Sequence, residues 1–237
     1  MKVNKSAGNM FKGHHTHNSI GGGCRHECIY CYVKDFTIPF LKERYSGDIR
    51  LIPEALKGKT GTGKTIFVCN CNDMFQQPVK SKDIDKILAA CNEYPDNTYL
   101  FQSKNPTRML DFLDKFPRKS ILGTTIETDN TVIVTNISKA PSPIERAIAL
   151  EEIKERTRFR TQLTIEPVLK FEKVRLLKLV SIAKPDIIYI GADSGENKLP
   201  EPTSLELQSL IGSLQDDYPD VRLKVNLSRI LGVDLNG

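Results

Sequence analysis

After residue 60 the chain alternates short apolar runs with segments in which apolar residues recur every three or four positions. The runs predict strands over 65–69, 98–102, 120–125, 162–165, 186–190 and 221–225, with an earlier one around 16–20. Ile187-Ile188-Tyr189-Ile190 is apolar throughout, which suits a strand covered on both faces. Between the runs, Ile84, Ile87, Leu88 and Cys91 fall at i, i+3, i+4 and i+7. Met109, Phe112, Leu113 and Phe116 repeat that spacing, as do Leu207, Leu210, Ile211 and Leu214, so each set forms one apolar stripe of a helix. Asn105-Pro106 and Ser142-Pro143 put a cap before a first-turn proline, while Ser142 with Glu145 and Thr203 with Glu206 fit the capping box. About six βα units in succession predict an α/β fold, a parallel sheet with covering helices closed into a barrel or partial barrel. No linker or repeat divides the 237 residues, so they read as one domain, 1–237.

In such folds ligands gather at the carboxyl ends of the strands. The polar segments there are Asn70-Cys71-Asn72-Asp73, Ser103-Lys104-Asn105, Glu127, Glu166-Pro167 and Gly191-Ala192-Asp193-Ser194, together with a cysteine loop after the first strand. That loop reads Gly21-Gly-Gly-Cys24-Arg-His-Glu-Cys28-Ile-Tyr30-Cys31. Three thiolates on one loop can hold three irons of a [4Fe-4S] cluster and leave the fourth iron open to a non-protein ligand. Gly21 to Gly23 let the backbone turn tightly around such a core. Zinc is the alternative: it prefers four ligands, and His26, His14, His15 or His17 could complete a Cys3His set.

Composition narrows the class. Charged residues make up 27% and hydrophobic residues 39%, the balance of a folded globular chain. No apolar run approaches the roughly 20 residues of a membrane span, and Met1-Lys-Val-Asn-Lys does not begin a signal peptide. The expectation is a cytoplasmic protein without a membrane partner, and clustered free thiols fit that reducing compartment. Net charge is +5, unevenly spread: residues 1–50 hold eight Lys/Arg against four Asp/Glu, and a second basic stretch runs over 154–178. Such clusters suit either phosphate contact or solvated helix faces.

Cys24-Arg-His-Glu-Cys28-Ile-Tyr30-Cys31, with an aromatic before the third cysteine, resembles the signature of radical S-adenosylmethionine enzymes. The resemblance covers a core of about 15–195. It implies a partial (βα)6 TIM-like barrel with the iron-sulfur cluster at the carboxyl ends of the strands. It implies two cofactors, a [4Fe-4S] cluster and S-adenosyl-L-methionine, the second cleaved to a 5′-deoxyadenosyl radical that takes hydrogen from a substrate. An external one-electron reductant is then a partner. Ile66-Phe67-Val68-Cys69, the stretch 97–106, Leu122 to Thr128, Thr164-Ile165-Glu166-Pro167 and Ile190 to Ser194 resemble, more narrowly, a phage-associated branch distantly similar to spore photoproduct lyase. That likeness adds a nucleic acid or nucleotide as substrate class. A zinc-stabilised nucleic-acid-binding module is the alternative function.

By the same resemblance Tyr30 is the aromatic whose loop meets the adenine. Where the family usually has a Gly-Gly-Glu-like segment after the second strand, this chain has Asn70, Asn72 and Asp73 as acceptors for the methionine amino group. Glu127, Glu166 and Asp193, at three strand ends, are further acceptors for ribose hydroxyls or that amino group. Cys69 and Cys71 point to one side if their strand continues, and a thiol there could return hydrogen to a substrate radical, as a cysteine does in spore photoproduct lyase.

One motif competes. Gly58-Lys-Thr-Gly-Thr-Gly63-Lys64-Thr65 fits the phosphate-loop pattern by letter, but that mechanism needs a strand before and a helix after. Here the helix-like residues precede and the strand follows, so a helix-to-strand loop is expected, with nucleoside-triphosphate hydrolysis the third reading.

Overall fold

Apolar runs that need cover on both faces pair with one another, and the sheet they build is the frame of the molecule. The computed structural model describes residues 1–5, 14–195 and 197–235. Its strands are β1 (Asn4–Lys5), β2 (His15–His17), β3 (Ile20–Gly21), β4 (Arg50–Leu51), β5 (Thr65–Val68), β6 (Thr98–Gln102), β7 (Ser120–Thr125), β8 (Arg160–Ile165), β9 (Ile187–Ile190) and β10 (Val221–Leu223). Eight of them form one open sheet in the order β1-β2-β5-β6-β7-β8-β9-β10, parallel except for β1 against β2, while β3 and β4 pair separately. The seven strands expected from the apolar runs are therefore neighbours in chain order, as successive right-handed βα units place them. The α/β partial barrel is the observed architecture.

Alternation divides the sheet's two faces. Ile66, Val68, Tyr99, Phe101 and Leu122 pack under the helix Ser81–Asn92 through Ile84, Ile87, Leu88 and Cys91. Leu163, Ile165, Ile188 and Ile190 pack with Leu150, Leu176, Val180, Leu207 and Leu210 of the helices Pro143–Arg156, Lys173–Ala183 and Ser204–Asp217. The opposite face carries an apolar plug of Phe67, Leu100, Ile121, Ile187 and Tyr189. One step further along the strands that face turns polar: Gln102 donates to Thr125 Oγ1 at 2.8 Å, and Gln162 sits beside it. Gly123 leaves room for Gln162, since a Cβ there would stand 3.0 Å from the Gln162 carbonyl oxygen. The plug closes the amino end, and the polar layer is the floor of the site.

Both capping boxes form, Ser142 with Glu145 and Thr203 with Glu206. The stripe from Met109 to Phe116 does not become an α-helix: Pro106–Phe112 is 3-10 and turns follow. Asn105 gives its amide to the Phe75 carbonyl instead of capping, Pro117 limits the length, and Phe112 and Phe116 are drawn onto the Phe75 ring at 6.2 and 5.9 Å. The Gly58 to Thr65 segment leads into β5 at its amino end, and Lys64 Nζ is turned back onto the Thr60 carbonyl. No helix N-terminus follows it to meet a phosphate.

In the second basic stretch Lys154 pairs with Asp186, Arg156 with Glu152, Arg160 with Asp220 and Arg175 with Glu172. Those charges are answered locally. Arg25, Lys34, Lys42, Arg44 and Arg50 of the first stretch form no ion pair among the described residues, and Lys12 lies outside them. Among the described residues no helix is long and apolar enough to cross a membrane.

Candidate functional site

The cysteine loop has little secondary structure, so its backbone groups must find partners elsewhere. Three distant segments supply them. Gly22 N and Gly23 N donate to the carbonyls of Arg44 and Gly47 at 2.9 Å. Asn72 Nδ2 donates to the Gly22 carbonyl at 2.8 Å, and Arg25 N donates to Gln76 Oε1 at 2.7 Å. From the far side, Ile29 N donates to the Ile137 carbonyl and Lys139 N to the His26 carbonyl, at 2.9 and 2.7 Å.

The glycines serve this clamp. Gly22 has φ +91°, and a Cβ on it would stand 2.3 Å from the Asp48 carbonyl oxygen. Gly22→Ala is expected to lower the unfolding free energy, read by urea titration, by more than the roughly 1–3 kcal/mol of backbone strain alone. Gly47→Ala, at φ +70° with open space around it, should lose about 1 kcal/mol. Equal midpoints for the two variants would sink this account.

At the carboxyl ends of β5, β6 and β7 lies a cavity of about 160 Å³. All three loop thiols line it, together with Cys69, Asn70, Cys71, Asn72, Asp73 and Lys104. Cys28 is buried, Cys24 and Cys31 half-buried. Burial, and after it the charge of Asp73, push the Cys24 thiol up to about 12, and burial raises Cys31 as well. Thiolates in this setting need compensating positive charge, which bound metal supplies. Among the described residues no three His, Cys, Asp or Glu stand close enough together to hold a single metal ion. A cubane asks for something different, one thiolate per iron from separate points of a loop, and this donor set fits it.

Asp73 ties the loop to the strands. His26 Nε2 lies 2.8 Å from its carboxylate, and Ser103 Oγ, Lys104 N and Phe75 N donate to it at 2.8, 2.8 and 2.9 Å. Burial opposes its charge, but His26 and these donors hold its carboxyl below the usual range. Asn72 is buried and its side chain is spent on Gly22 and Gln76. Asn70 is more open, bonded to Asn18 and to Tyr32 Oη.

The strand does not continue to Cys71. It ends at Val68, and Cys69 takes φ +55°. The turn sends the Cys69 thiol to Ser19 Oγ at 3.6 Å and leaves the Cys71 thiol 3.6 Å from Tyr32 Oη. Both thiols still line the cavity, by a different route from strand alternation.

Tyr30 and Glu127 stand together behind the cavity wall. Tyr30 Oη and Lys104 Nζ donate to Glu127 Oε1, and Lys104 also donates to Tyr30 Oη at 2.7 Å. Arg146 Nη1 reaches Glu127 Oε2 at 2.9 Å and the Thr125 carbonyl, with both ionic side chains 0% exposed. Burial disfavours the Glu127 carboxylate, yet Arg146 and then Lys104 outweigh it and hold the group down at about 2. Sequence alone assigns no individual role to Lys104 or Arg146. Lys104 sits in a flagged strand-end segment, and Arg146 occupies a stripe position with Leu150 and Ile153, where an arginine signals a buried partner.

The remaining two acidic residues are not brought to the cavity. Glu166 is bonded to Lys224 and Asn226, and Asp193 accepts from Asn197 and Gly195 within its own loop.

The family described as "Protein of unknown function (DUF5131)" matches residues 9–205. No curated protein matches the chain. Among solved structures, a mutant spore photoproduct lyase with bound AdoMet and dinucleoside spore photoproduct is similar at TM-score 0.64 and 11% identity, over 94% of this chain and 78% of that one. SuiB of Streptococcus suis bound to S-adenosylmethionine is similar at 0.58 and 13%, over 86% of this chain and 48% of that one. SuiB bound to its precursor peptide SuiA gives 0.60 and 13%, over 92% and 50%. Identities this low speak to the fold, since one fold hosts many chemistries. The chain thus belongs to the DUF5131 family of proteins of unknown function, and it has the partial-barrel fold of radical S-adenosylmethionine enzymes.

Proposed function

We propose that this protein is an iron-sulfur enzyme that cleaves S-adenosylmethionine reductively. The observation that carries the reading is the convergence of Cys24, Cys28 and Cys31 on one cavity at the carboxyl ends of the strands. When bound, a [4Fe-4S] cluster and S-adenosylmethionine supply a 5′-deoxyadenosyl radical that removes hydrogen from a substrate, with the electron coming from an external one-electron reductant. The chain's residues do the rest. Lys104, among the described residues the one lysine or arginine lining the cavity, takes the methionine carboxylate, and Asn70 accepts from the amino group. Asp73 and Asn72, already satisfied, act as positioning residues for the loop. Glu127 positions Lys104 and the Tyr30 ring, and Arg146 keeps Glu127 ionised.

Anaerobic reconstitution with iron and sulfide tests this: about four irons per chain are expected, with a cluster spectrum that S-adenosylmethionine perturbs and 5′-deoxyadenosine as product. Stoichiometric zinc without iron would overturn it and favour the zinc-stabilised nucleic-acid-binding module.

Cys71 is proposed as the hydrogen donor. Its S–H bond breaks homolytically, the hydrogen atom passes to the substrate radical, and one electron from the reductant with a proton restores the thiol. Cys71→Ala is expected to keep iron and 5′-deoxyadenosine formation while diverting or stalling substrate turnover. Cys69, held by Ser19 among core residues, is expected to matter for packing instead. A normal product at normal yield from Cys71→Ala removes it from the chemistry.

The substrate class we favour is a nucleic acid, because Arg25, Lys34, Lys42, Arg44 and Arg50 lie in the cysteine loop and the segment after it without carboxylate partners among the described residues. Oligonucleotide affinity should then fall linearly with log salt, with a slope of about −0.7 per phosphate for single strands. Absence of binding at low salt would turn attention to peptides.

A further inference from the structure

Cys28 is the most enclosed of the three loop thiols, and among the described residues it alone has a hydroxyl against its sulfur. Ser138 Oγ lies 3.2 Å from Cys28 Sγ, across 110 residues of sequence. Ser138 follows the helix Thr131–Ile137, itself buried, and its neighbours Ile137 and Lys139 are the residues that grip Ile29 and His26. The hydroxyl is therefore placed by the same backbone bonds that place the loop, which is how a side chain comes to be held against one chosen sulfur.

The hydroxyl's own bonds decide what it does there. Ala140 N donates to Ser138 Oγ at 3.1 Å, which uses one lone pair. Its single proton has two acceptors within reach, the His26 carbonyl at 3.2 Å and Cys28 Sγ at 3.2 Å. While Cys28 is a thiol, the S–H can donate to Oγ and the hydroxyl can serve His26. A metal-bound sulfur has no proton and can only accept. The hydroxyl is then the only donor in the pair, and a charge-assisted bond to the anionic sulfur is stronger than one to a neutral carbonyl. Among the described residues the hydroxyl contact to a loop thiol is the one at Cys28, with none to Cys24 or Cys31.

We infer that Ser138 is a positioning residue that donates a hydrogen bond to the cluster-bound sulfur of Cys28 and thereby raises the reduction potential of the cluster. The inference rests on the iron-sulfur reading above. Its physical basis is that reduction adds negative charge, which an aimed donor in a buried, weakly screened place stabilises more in the reduced than in the oxidised state. Ser138 thus makes the cluster easier to reduce by whatever one-electron donor serves it.

The experiment compares Ser138→Thr, which keeps the hydroxyl, with Ser138→Val, which has nearly the same shape without it. Both variants are reconstituted anaerobically beside the wild-type chain, analysed for iron, and titrated potentiometrically with electron paramagnetic resonance. The valine variant is expected to load iron like the others and to show about a tenfold lower reduced-to-oxidised ratio at a fixed potential, a shift of about 59 mV to the negative for a one-electron couple. The threonine variant should stay near wild type. Deuterium exchange should give a strongly coupled deuteron at the reduced cluster of wild type and threonine, absent in valine. Equal midpoints for threonine and valine on loaded clusters overturn this inference alone. A wild-type chain that takes up no iron overturns the reading of the site beneath it.

Discussion

Cys28→Ala, and equally Cys24→Ala or Cys31→Ala, is expected to abolish cluster assembly. After reconstitution the iron content should fall from about four per chain to near zero, and 5′-deoxyadenosine formation with it. The expected loss is all-or-none because the three thiols are not interchangeable points on a flexible loop. Each is fixed by a different neighbour: Cys24 by backbone hydrogen bonds from His26 and Asp73, Cys28 by Ser138, Cys31 by its backbone bond to the Cys28 carbonyl at 3.2 Å. Two remaining thiolates leave two irons without a protein anchor; Cys69 is bonded to Ser19, Cys91 is buried against Met1, and Cys71, though it lines the cavity, stands after β5 with its thiol on Tyr32 Oη, outside the loop that carries the three ligands. A full cluster retained in any of the three single variants would refute the assignment of these ligands.

Arg146→Met is expected to be the most destabilising single change away from the cysteines. It removes the positive charge that acts more strongly, of two, on a carboxylate with no access to water. Breaking one side of a buried ion pair costs about 3–5 kcal/mol. For a chain of this size that corresponds to roughly 6–20 °C of melting temperature. Arg146 is itself expensive to bury, because its Nε and Nη2 have no hydrogen-bond partner among the described residues. Replacing both members, Arg146→Met with Glu127→Gln, should therefore recover part of the loss, and strict additivity of the two single losses would contradict the pairing. The pH dependence has a fixed sign. Glu127 is held at about 2 in the folded protein, below the roughly 4.3 of an unfolded glutamate. Its contribution is complete above the unfolded value and disappears as pH falls towards about 2. Wild type should lose melting temperature across that interval more steeply than the double variant.

Much of the frame was legible from residue order because parallel strands covered on both faces leave an unmistakable apolar run, and a βα succession leaves few ways to order them. Ile187 to Ile190 and Ser120 to Thr125 are of this kind. The stripe from Met109 to Phe116 misled because its spacing is helical while its ends are not. Pro106, Pro117 and the pull of Phe75 decide the backbone, and none of these is a periodicity. The two-residue strands β3 and β4 carry no pattern and exist because the loop beside them must be anchored.

In the site, the cysteine spacing is local and therefore readable. The Tyr30, Lys104, Glu127 and Arg146 network bonds pairs up to 97 residues apart, and only the folded barrel brings them within bonding distance. Glu166 and Asp193 were placed at strand ends correctly enough, but residue order could not tell that Lys224 and Asn197 would claim them. Cys69 shows the limit of alternation: one left-handed residue at the end of β5 redirects everything after it.

The grip of residues 137–139 on the cysteine loop has a consequence for how the protein is made. On a ribosome the loop emerges long before its clamp. The two are 110 residues apart, which at about 5–20 residues per second is a wait of roughly 5–20 seconds. During that time the thiols are present but unshaped, and iron delivered then would meet a loop free to bind it in the wrong geometry. On the iron-sulfur reading proposed above, metal loading should therefore follow closure of β7 and the helix after it, so that the folded apoprotein, and not the nascent chain, is expected to receive the cluster.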